Sequence, residues 1–91
     1  MDVKLIKLVA FVLGSARRKE VVEKLYELKA TTPTKLSEKC GLPMGNMSNI
    51  LKELSREELV VCVNPEVRKN RIYCLTDLGE KVHDNFNLIH L

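Results

Sequence analysis

The chain has 91 residues, which is enough for one small domain but not for a second hydrophobic core. Hydrophobic residues make up 45% of it and charged residues 30%, a balance that excludes a disordered tail, a collagen-like repeat and a multi-span membrane protein. The formal net charge of +3 permits an anionic partner without requiring one. We therefore expect a single globular domain over residues 1–91.

The N-terminal segment and the cysteines predict the cellular compartment. Two lysines precede the apolar run 8–13, as in an export signal, but this run is shorter than the about 7–15 residues that such signals need. The three cysteines form no closely spaced pair, which favours a reduced environment. We expect a cytoplasmic protein.

Apolar spacing predicts two helices at the start of the chain. The first covers 1–13, with a strand as the alternative because of its valine and phenylalanine content. The second covers 15–29, with Ser15 placed to cap it. The apolar stripe of the first helix is Leu5, Leu8, Val9 and Val12.

A helix-turn-helix is predicted next. Thr32 and Pro33 suit the start of a short helix over 33–40, and Gly41 suits the left-handed residue that ends it. A second helix covers 44–58, after a tight turn. Its buried stripe is Met47, Ile50, Leu51 and Leu54.

Period-two patterning replaces helical spacing after this point. β-branched runs on both sides of the polar loop 64–70 predict a β-hairpin over 60–75. Thr76 then caps a last helix over 77–90. The predicted fold class is mainly α with a small β-hairpin (α+β).

The order and spacing of these elements resemble a winged helix-turn-helix transcription regulator of the broad ArsR/MarR type, of a kind common in archaea. The matching stretches lie within about 11–82 and include 11–18, the helix-turn-helix, 59–62, the basic wing tip 68–71 and 73–79. The resemblance implies that the helix 44–58 reads bases in the major groove of duplex DNA. It also implies that the hairpin wing touches the adjacent backbone or minor groove.

Short polar residues on the outward side of the helix 44–58 are the predicted readers. We assign base contacts to Asn46, Ser48 and Asn49, because asparagine can bind adenine N6 and N7 together. Relatives often carry arginine where this chain has Asn49, so modest specificity is expected. The predicted contacts to the DNA backbone are Thr34, Lys35, Gly45, Lys52, Arg68, Lys69 and Arg71.

Charged residues at two other places bear on the extent of the predicted DNA-binding surface. Glu53, Glu57 and Glu58 make the far end of the predicted reading helix acidic, which should confine contact to its first two turns. The run 17–19 is basic at a helix N-terminus, where positive charge opposes the helix dipole. A surface role is the simpler interpretation of this run, with phosphate binding as the alternative.

A homodimer is expected, since a domain this small gains stability from a partner. Its two reading helices would enter major grooves about 34 Å apart. The predicted interface joins the first and last helices, and removal of 1–12 should give a monomer. Its residues are Val3, Leu5, Leu8, Phe11, Val12, Phe86, Leu88 and Ile89.

We expect no enzyme, cofactor or metal site. Catalytic arrangements and glycine-rich phosphate loops are absent from the sequence, and His83 and His90 lie about 10 Å apart along one helix, too far to share a metal. Cys62 and Cys74 form a hypothetical thiol switch if the strand register places them opposite each other.

Two alternatives to a transcription regulator remain open from the sequence. They are a winged-helix module that binds a protein partner and a sequence-tolerant DNA-coating protein. The sequence does not identify a small-molecule effector.

Overall fold

The computed structural model describes residues 2–88 and confirms a mainly helical fold with one small antiparallel sheet. No helix within this range is long and apolar enough to cross a membrane. The elements in chain order are α1 (Val3–Leu13), α2 (Ala16–Leu28), β1 (Ala30–Thr31), α3 (Pro33–Cys40), α4 (Met44–Arg56), β2 (Val60–Cys62), β3 (Tyr73–Leu75), α5 (Asp77–Asp84) and a terminal 3-10 turn (Phe86–Leu88).

Helix ends follow the predicted capping residues. The Ser15 hydroxyl accepts a hydrogen bond from the Arg18 amide at 3.2 Å, and the Thr32 hydroxyl accepts one from the Lys35 amide at 3.2 Å. Gly41 ends α3 with a φ of 64°, a left-handed conformation that strains residues with a side chain. Because these backbone groups are satisfied locally, α2 and α3 begin close to the predicted positions.

Two helices are shorter than predicted, and one strand was not predicted. α4 ends at Arg56 rather than at 58, because Glu58 adopts a φ of 62° and the chain turns into β2. α5 ends at Asp84 rather than at 90 and is followed by the 3-10 turn. The extra strand β1 has two residues and pairs with β3, which gives the sheet order β1-β3-β2. Two residues are too few for the alternation that predicts a strand.

The core lies between the five helices and the sheet. α1 packs on both α2 and α5, so the N-terminal helix belongs to the same core as the helix-turn-helix. Side chains from all five helices contribute to it. The largest fully buried ones are Val9, Val12, Val21, Val22, Leu25, Leu36, Met47, Leu54, Leu59 and Val82.

This packing corrects part of the predicted dimer interface. Leu5 and Leu8 are 7% and 6% exposed, and Val12 is fully buried, all within a single chain. Their side chains are already covered by the core of their own protomer. The assignment of Leu5, Leu8 and Val12 to a dimer interface is therefore wrong.

The other predicted interface residues have different surroundings. Val3 is 63% exposed, whereas Phe11 and Phe86 are half-buried against the core. The side chain of Leu88 and the whole of Ile89 lie outside the residues that the structure describes. An interface through Val3 and the partly exposed rings of Phe11 and Phe86 remains a prediction.

The strand register contradicts the hypothetical thiol switch. Cys62 of β2 lies opposite Tyr73, and Cys74 is the next residue of β3. Since successive side chains of a strand point to opposite faces, Cys62 and Cys74 lie on different faces of the sheet.

The third cysteine, Cys40, is half-buried at the end of α3. Burial, together with the negative charge of Glu20, raises the pKa of its thiol, which favours the unreactive protonated form.

Candidate nucleic-acid interface

The outward side of α4 is polar and uncrowded. Burial of its apolar stripe turns the opposite side of the helix to solvent. Gly45, Asn49 and Lys52 are exposed along the middle of that side. Ser48 is exposed and Asn46 is half-buried. The five positions therefore share one accessible surface with short side chains and a single cation.

A close crossing with α3 holds α4 in this orientation. Ser37 is only 8% exposed, and its hydroxyl donates a hydrogen bond to the Met44 sulfur at 3.0 Å. This contact joins the middle of α3 to the first residue of α4. Thr34 and Lys35 remain exposed in the first turn of α3. The small Ser37 side chain lets the two helices approach closely at this point.

The segment 63–72 between β2 and β3 forms a shaped loop, which we call the wing. Asn64 organises it through both ends of its side-chain amide. The oxygen accepts a hydrogen bond from the Ile72 amide at 2.7 Å, and the nitrogen donates one to the Asn70 carbonyl at 3.2 Å. The wing is therefore held by hydrogen bonds across its base.

Arg71 closes the wing from the other side. Its Nε donates to the Val67 carbonyl at 2.7 Å, and one terminal nitrogen donates to the Pro65 carbonyl at 3.3 Å. These two bonds use N–H groups of the Arg71 guanidinium within the wing itself. Arg68 and Lys69 at the wing tip, by contrast, are exposed to solvent. Arg71 therefore acts as a positioning residue for the wing as well as a nearby positive charge.

Two adjoining open grooves, of about 610 and 640 Å³, lie between α4 and the wing. They share Pro33, Ser48, Arg71 and Tyr73 as walls, so we treat them as one α4–wing cleft. Positive charges come from both sides of the cleft. The lining cations are Lys52 and Arg56 from α4 and Arg68, Lys69 and Arg71 from the wing.

The cleft brings together part of the predicted site. The predicted residues that line it are Thr34, Ser48, Lys52, Arg68, Lys69 and Arg71. Four others do not line it: Lys35, Gly45, Asn46 and Asn49. Gly45 and Asn49 lie on the exposed side of α4 next to the cleft, where a ligand that covers α4 would also reach them.

Two lining residues were missed by the sequence analysis. Arg56 follows Lys52 at a spacing of four residues, which places both on one side of α4. That spacing is present in the sequence, but Glu53, Glu57 and Glu58 outnumber Arg56 at this end of the helix and predict an acidic surface there. Tyr73 joins the cleft through the strand pairing, for which the sequence carries no comparable signal.

The acidic residues lie away from the cleft. Glu53 lines neither groove of the cleft, and its Oε2 is 3.4 Å from Nη1 of Arg18. Glu57 and Glu58 follow the last residue of the helix. Positive charge therefore lies on the wing side of α4, and the acidic side chains do not interrupt it.

His83 belongs to an aromatic cluster rather than to a group of metal ligands. Its ring stacks on Tyr26 with centroids 3.8 Å apart and lies 5.1 Å from the Phe86 ring. Among residues 2–88, no group of three histidine, cysteine or acidic side chains is placed to hold a metal ion. His90 lies outside the described residues.

Replacement of Gly45 by alanine is expected to separate stability from ligand binding. A Cβ at this exposed helical position meets no atom within 4 Å, so the fold should be preserved or slightly stabilised. The same methyl group would hold the backbone of a nucleic acid docked on this side away from α4, so a duplex that uses this surface should bind about fivefold more weakly. Thermal unfolding and fluorescence anisotropy of Gly45→Ala test the two effects. Unchanged affinity would contradict a close approach at Gly45.

Comparison with known proteins rests on solved structures, because no sequence-family model and no curated protein matches the chain. A MarR family transcription regulator superposes with a TM-score of 0.72 and 24% identity, over 81% of this chain and 50% of the regulator. A mutant of MepR from S. aureus bound to an oligodeoxyribonucleotide has a TM-score of 0.76 and 18% identity, over 92% and 66% of the two chains. A mutant of MarR from E. coli complexed with operator DNA has a TM-score of 0.74 and 19% identity, over 93% and 64%.

The chain spans about half the length of the first of these regulators and about two thirds of the other two. At such low identity the similarity establishes the fold. The α3–α4 pair is the helix-turn-helix, and the wing is the loop of the hairpin that β2 and β3 form. The chain therefore has the winged helix-turn-helix fold found in MarR-type transcription regulators.

Proposed function

We propose that this protein is a cytoplasmic, MarR-type transcription regulator that binds duplex DNA as a homodimer. α4 enters the major groove, and the wing contacts the adjacent backbone or minor groove. The observation that carries this proposal is the α4–wing cleft, in which cations from two separate elements line one surface beside an uncrowded helix. The complexes with operator DNA and with an oligodeoxyribonucleotide among the structural neighbours support it.

The shape of the surface fits a duplex. α4 has 13 residues and is about 20 Å long, and a major groove about 12 Å wide admits a helix of this kind. A phosphate backbone that leaves the groove beside α4 would pass the cleft. There Lys52 and Arg56 approach it from one side and Arg68 and Lys69 from the other.

Base reading falls to the side chains on the exposed side of α4. Asn46, Ser48 and Asn49 carry donors and acceptors but no charge, and asparagine favours adenine. Backbone contacts are assigned to the cleft cations together with Thr34, Lys35 and Gly45. Affinity then comes mainly from phosphates, and sequence preference from two or three short side chains.

The charge distribution favours a second candidate, sequence-tolerant DNA binding. The cations line the cleft, where a phosphate backbone would pass, whereas the residues assigned to base reading are short and neutral. A protein built this way can bind many duplexes with similar affinity. The specific regulator remains the first proposal because Asn49 is exposed on the outward side of the reading helix.

Fluorescence anisotropy distinguishes these functions. The protein is titrated into the duplex that lies upstream of its own gene and into a scrambled duplex, each at ~50 and ~200 mM salt. A specific regulator binds the upstream duplex more tightly, with a steep fall of affinity at the higher salt. Equal, salt-sensitive binding to both favours the sequence-tolerant protein. Binding to neither contradicts DNA binding and favours the winged-helix module with a protein partner.

The proposed dimer interface is tested by a substitution at the exposed end of α1. Val3→Asp leaves the core intact because Val3 is 63% exposed. In a symmetric dimer each substitution occurs twice, so we expect the dissociation constant to rise at least about tenfold. Lys7→Asp, at an exposed position of the same helix, is the control. Sedimentation that shows the same mass for wild type and Val3→Asp would contradict an interface at Val3.

Removal of 1–12 is a poor test of the dimer. It would strip Val9 and Val12 from the core of each protomer, because both are essentially fully buried. Loss of these side chains costs several kcal/mol through the cavity they leave. The truncated chain would therefore unfold whether or not α1 forms an interface.

A further inference from the structure

Arg18 lies where α1, α2 and α4 meet. Its position near the N-terminus of α2 places a positive charge where the helix dipole opposes it, so α2 itself gives no reason for the residue. The proposed DNA surface does not use it either, since Arg18 does not line the α4–wing cleft. Its side chain is nevertheless only 20% exposed.

The Arg18 guanidinium contacts two other helices. Its central carbon lies 4.0 Å from the centroid of the Phe11 ring of α1, and its Nη1 lies 3.4 Å from Oε2 of Glu53 on α4. The Nε atom is buried and has no hydrogen-bond partner within the described chain. The side chain therefore gives up hydration to hold this position, which the stacking and the ion pair must offset.

We propose that Arg18 is a positioning residue that couples α1 to the recognition helix α4. A planar guanidinium can lay its face on an aromatic ring while an edge N–H points at a carboxylate, which a lysine ammonium cannot do. Phe11 and Glu53 lie on different helices, and each contacts Arg18. A shift of α1 therefore changes the ion pair that holds one flank of α4.

The contact acts on a side chain of α4 that does not line the cleft. Arg18 holds the Glu53 carboxylate outside the cleft, whereas Lys52 and Arg56 of the same helix line it. Loss of Arg18 would free both α4 and this carboxylate. The part of the inference that concerns DNA rests on the proposed function, whereas the coupling between α1 and α4 does not.

The coupling is tested first without DNA. Urea unfolding is measured for wild type, Phe11→Leu, Glu53→Ala and the double variant, and then for the same four chains with Arg18→Lys. We expect the two changes to be non-additive by about threefold in the unfolding equilibrium constant when Arg18 is present, and additive with lysine. Additive effects in both series, or equal non-additivity in both, would overturn the coupling.

DNA binding is tested with Arg18→Lys, which keeps the charge, and with Arg17→Lys as the matched control at an exposed neighbour. Positioning predicts about three- to fivefold weaker binding for Arg18→Lys only, with an unchanged dependence on salt. Unchanged affinity for Arg18→Lys would overturn the positioning role. A fall of about one per protomer in the salt slope for Arg18→Gln would also overturn it, since that marks a direct phosphate contact.

The two levels of the proposal fail in different ways. If the wild-type protein binds no DNA at any salt concentration, the proposed function is wrong, and the unfolding cycle alone decides whether Arg18 couples the helices. If Phe11→Leu unfolds the chain, Arg18→Lys and Glu53→Ala form a second cycle. Additive effects in this cycle would overturn the Arg18–Glu53 link.

Discussion

Replacement of both wing-tip cations is expected to abolish most of the DNA affinity at low salt. Arg68 and Lys69 are exposed and line the cleft opposite α4. Each phosphate contact contributes about 0.9 to the salt slope, so the two contacts of one protomer correspond to a loss of about 200-fold at ~50 mM salt and about 20-fold at ~200 mM. Fluorescence anisotropy of Arg68→Gln/Lys69→Gln measures both the affinity and the slope.

The control for this experiment removes the same charge elsewhere. Lys7 and Lys81 are exposed on α1 and α5 and line neither groove of the cleft. Lys7→Gln/Lys81→Gln should therefore keep the wild-type slope and most of the affinity. Equal losses in the two double variants would mean that the wing contributes only net charge and would contradict its placement on DNA.

Replacement of Gly79 by alanine is expected to destabilise the fold by about 3 kcal/mol. A Cβ on Gly79 would overlap the Leu59 carbonyl oxygen and would also meet a Leu75 methyl group at 3.2 Å. The Leu59 carbonyl cannot easily move, because it accepts a hydrogen bond from the Thr76 amide at 3.0 Å. α5 would have to shift from the sheet. Chemical denaturation of Gly79→Ala measures the loss.

Gly45→Ala is the matched control for Gly79→Ala. Both glycines are helical, but a Cβ on Gly45 meets nothing within 4 Å. Its free energy of unfolding should stay equal or rise by about 0.5 kcal/mol, because alanine loses less backbone entropy than glycine. A Gly79→Ala protein as stable as Gly45→Ala would show that α5 does not pack closely on the Leu59 backbone.

Features with a local cause could be predicted from the sequence. Ser15 and Thr32 cap helices through hydrogen bonds to residues three positions later, and Gly41 ends α3 by its own backbone freedom. The stripe of α4 likewise follows from spacing within one helix. These interactions span a few residues, so the sequence itself carries the signal.

Features that depend on distant pairs could not be predicted in the same way. Whether Cys62 opposes Cys74 depends on the register in which β2 pairs with β3. A change of one residue in that register would move every side chain of a strand to the other face of the sheet. The same pairing brings Tyr73 beside α4. The strand β1 exists only because β3 offers it a partner.

The helix-turn-helix, the hairpin and the cations on them therefore follow from the order of the amino acids alone. Where the apolar stripe of α1 packs depends on the folded protein, because an amphipathic stripe fits a protomer core as well as a second subunit. Tertiary structure also decided that Arg56 faces the wing while Glu53 faces Arg18. The energy of an interaction between two charges depends on their distance and burial. Whether a charged side chain of a helix belongs to a binding surface or to an internal ion pair therefore depends on which elements pack beside it.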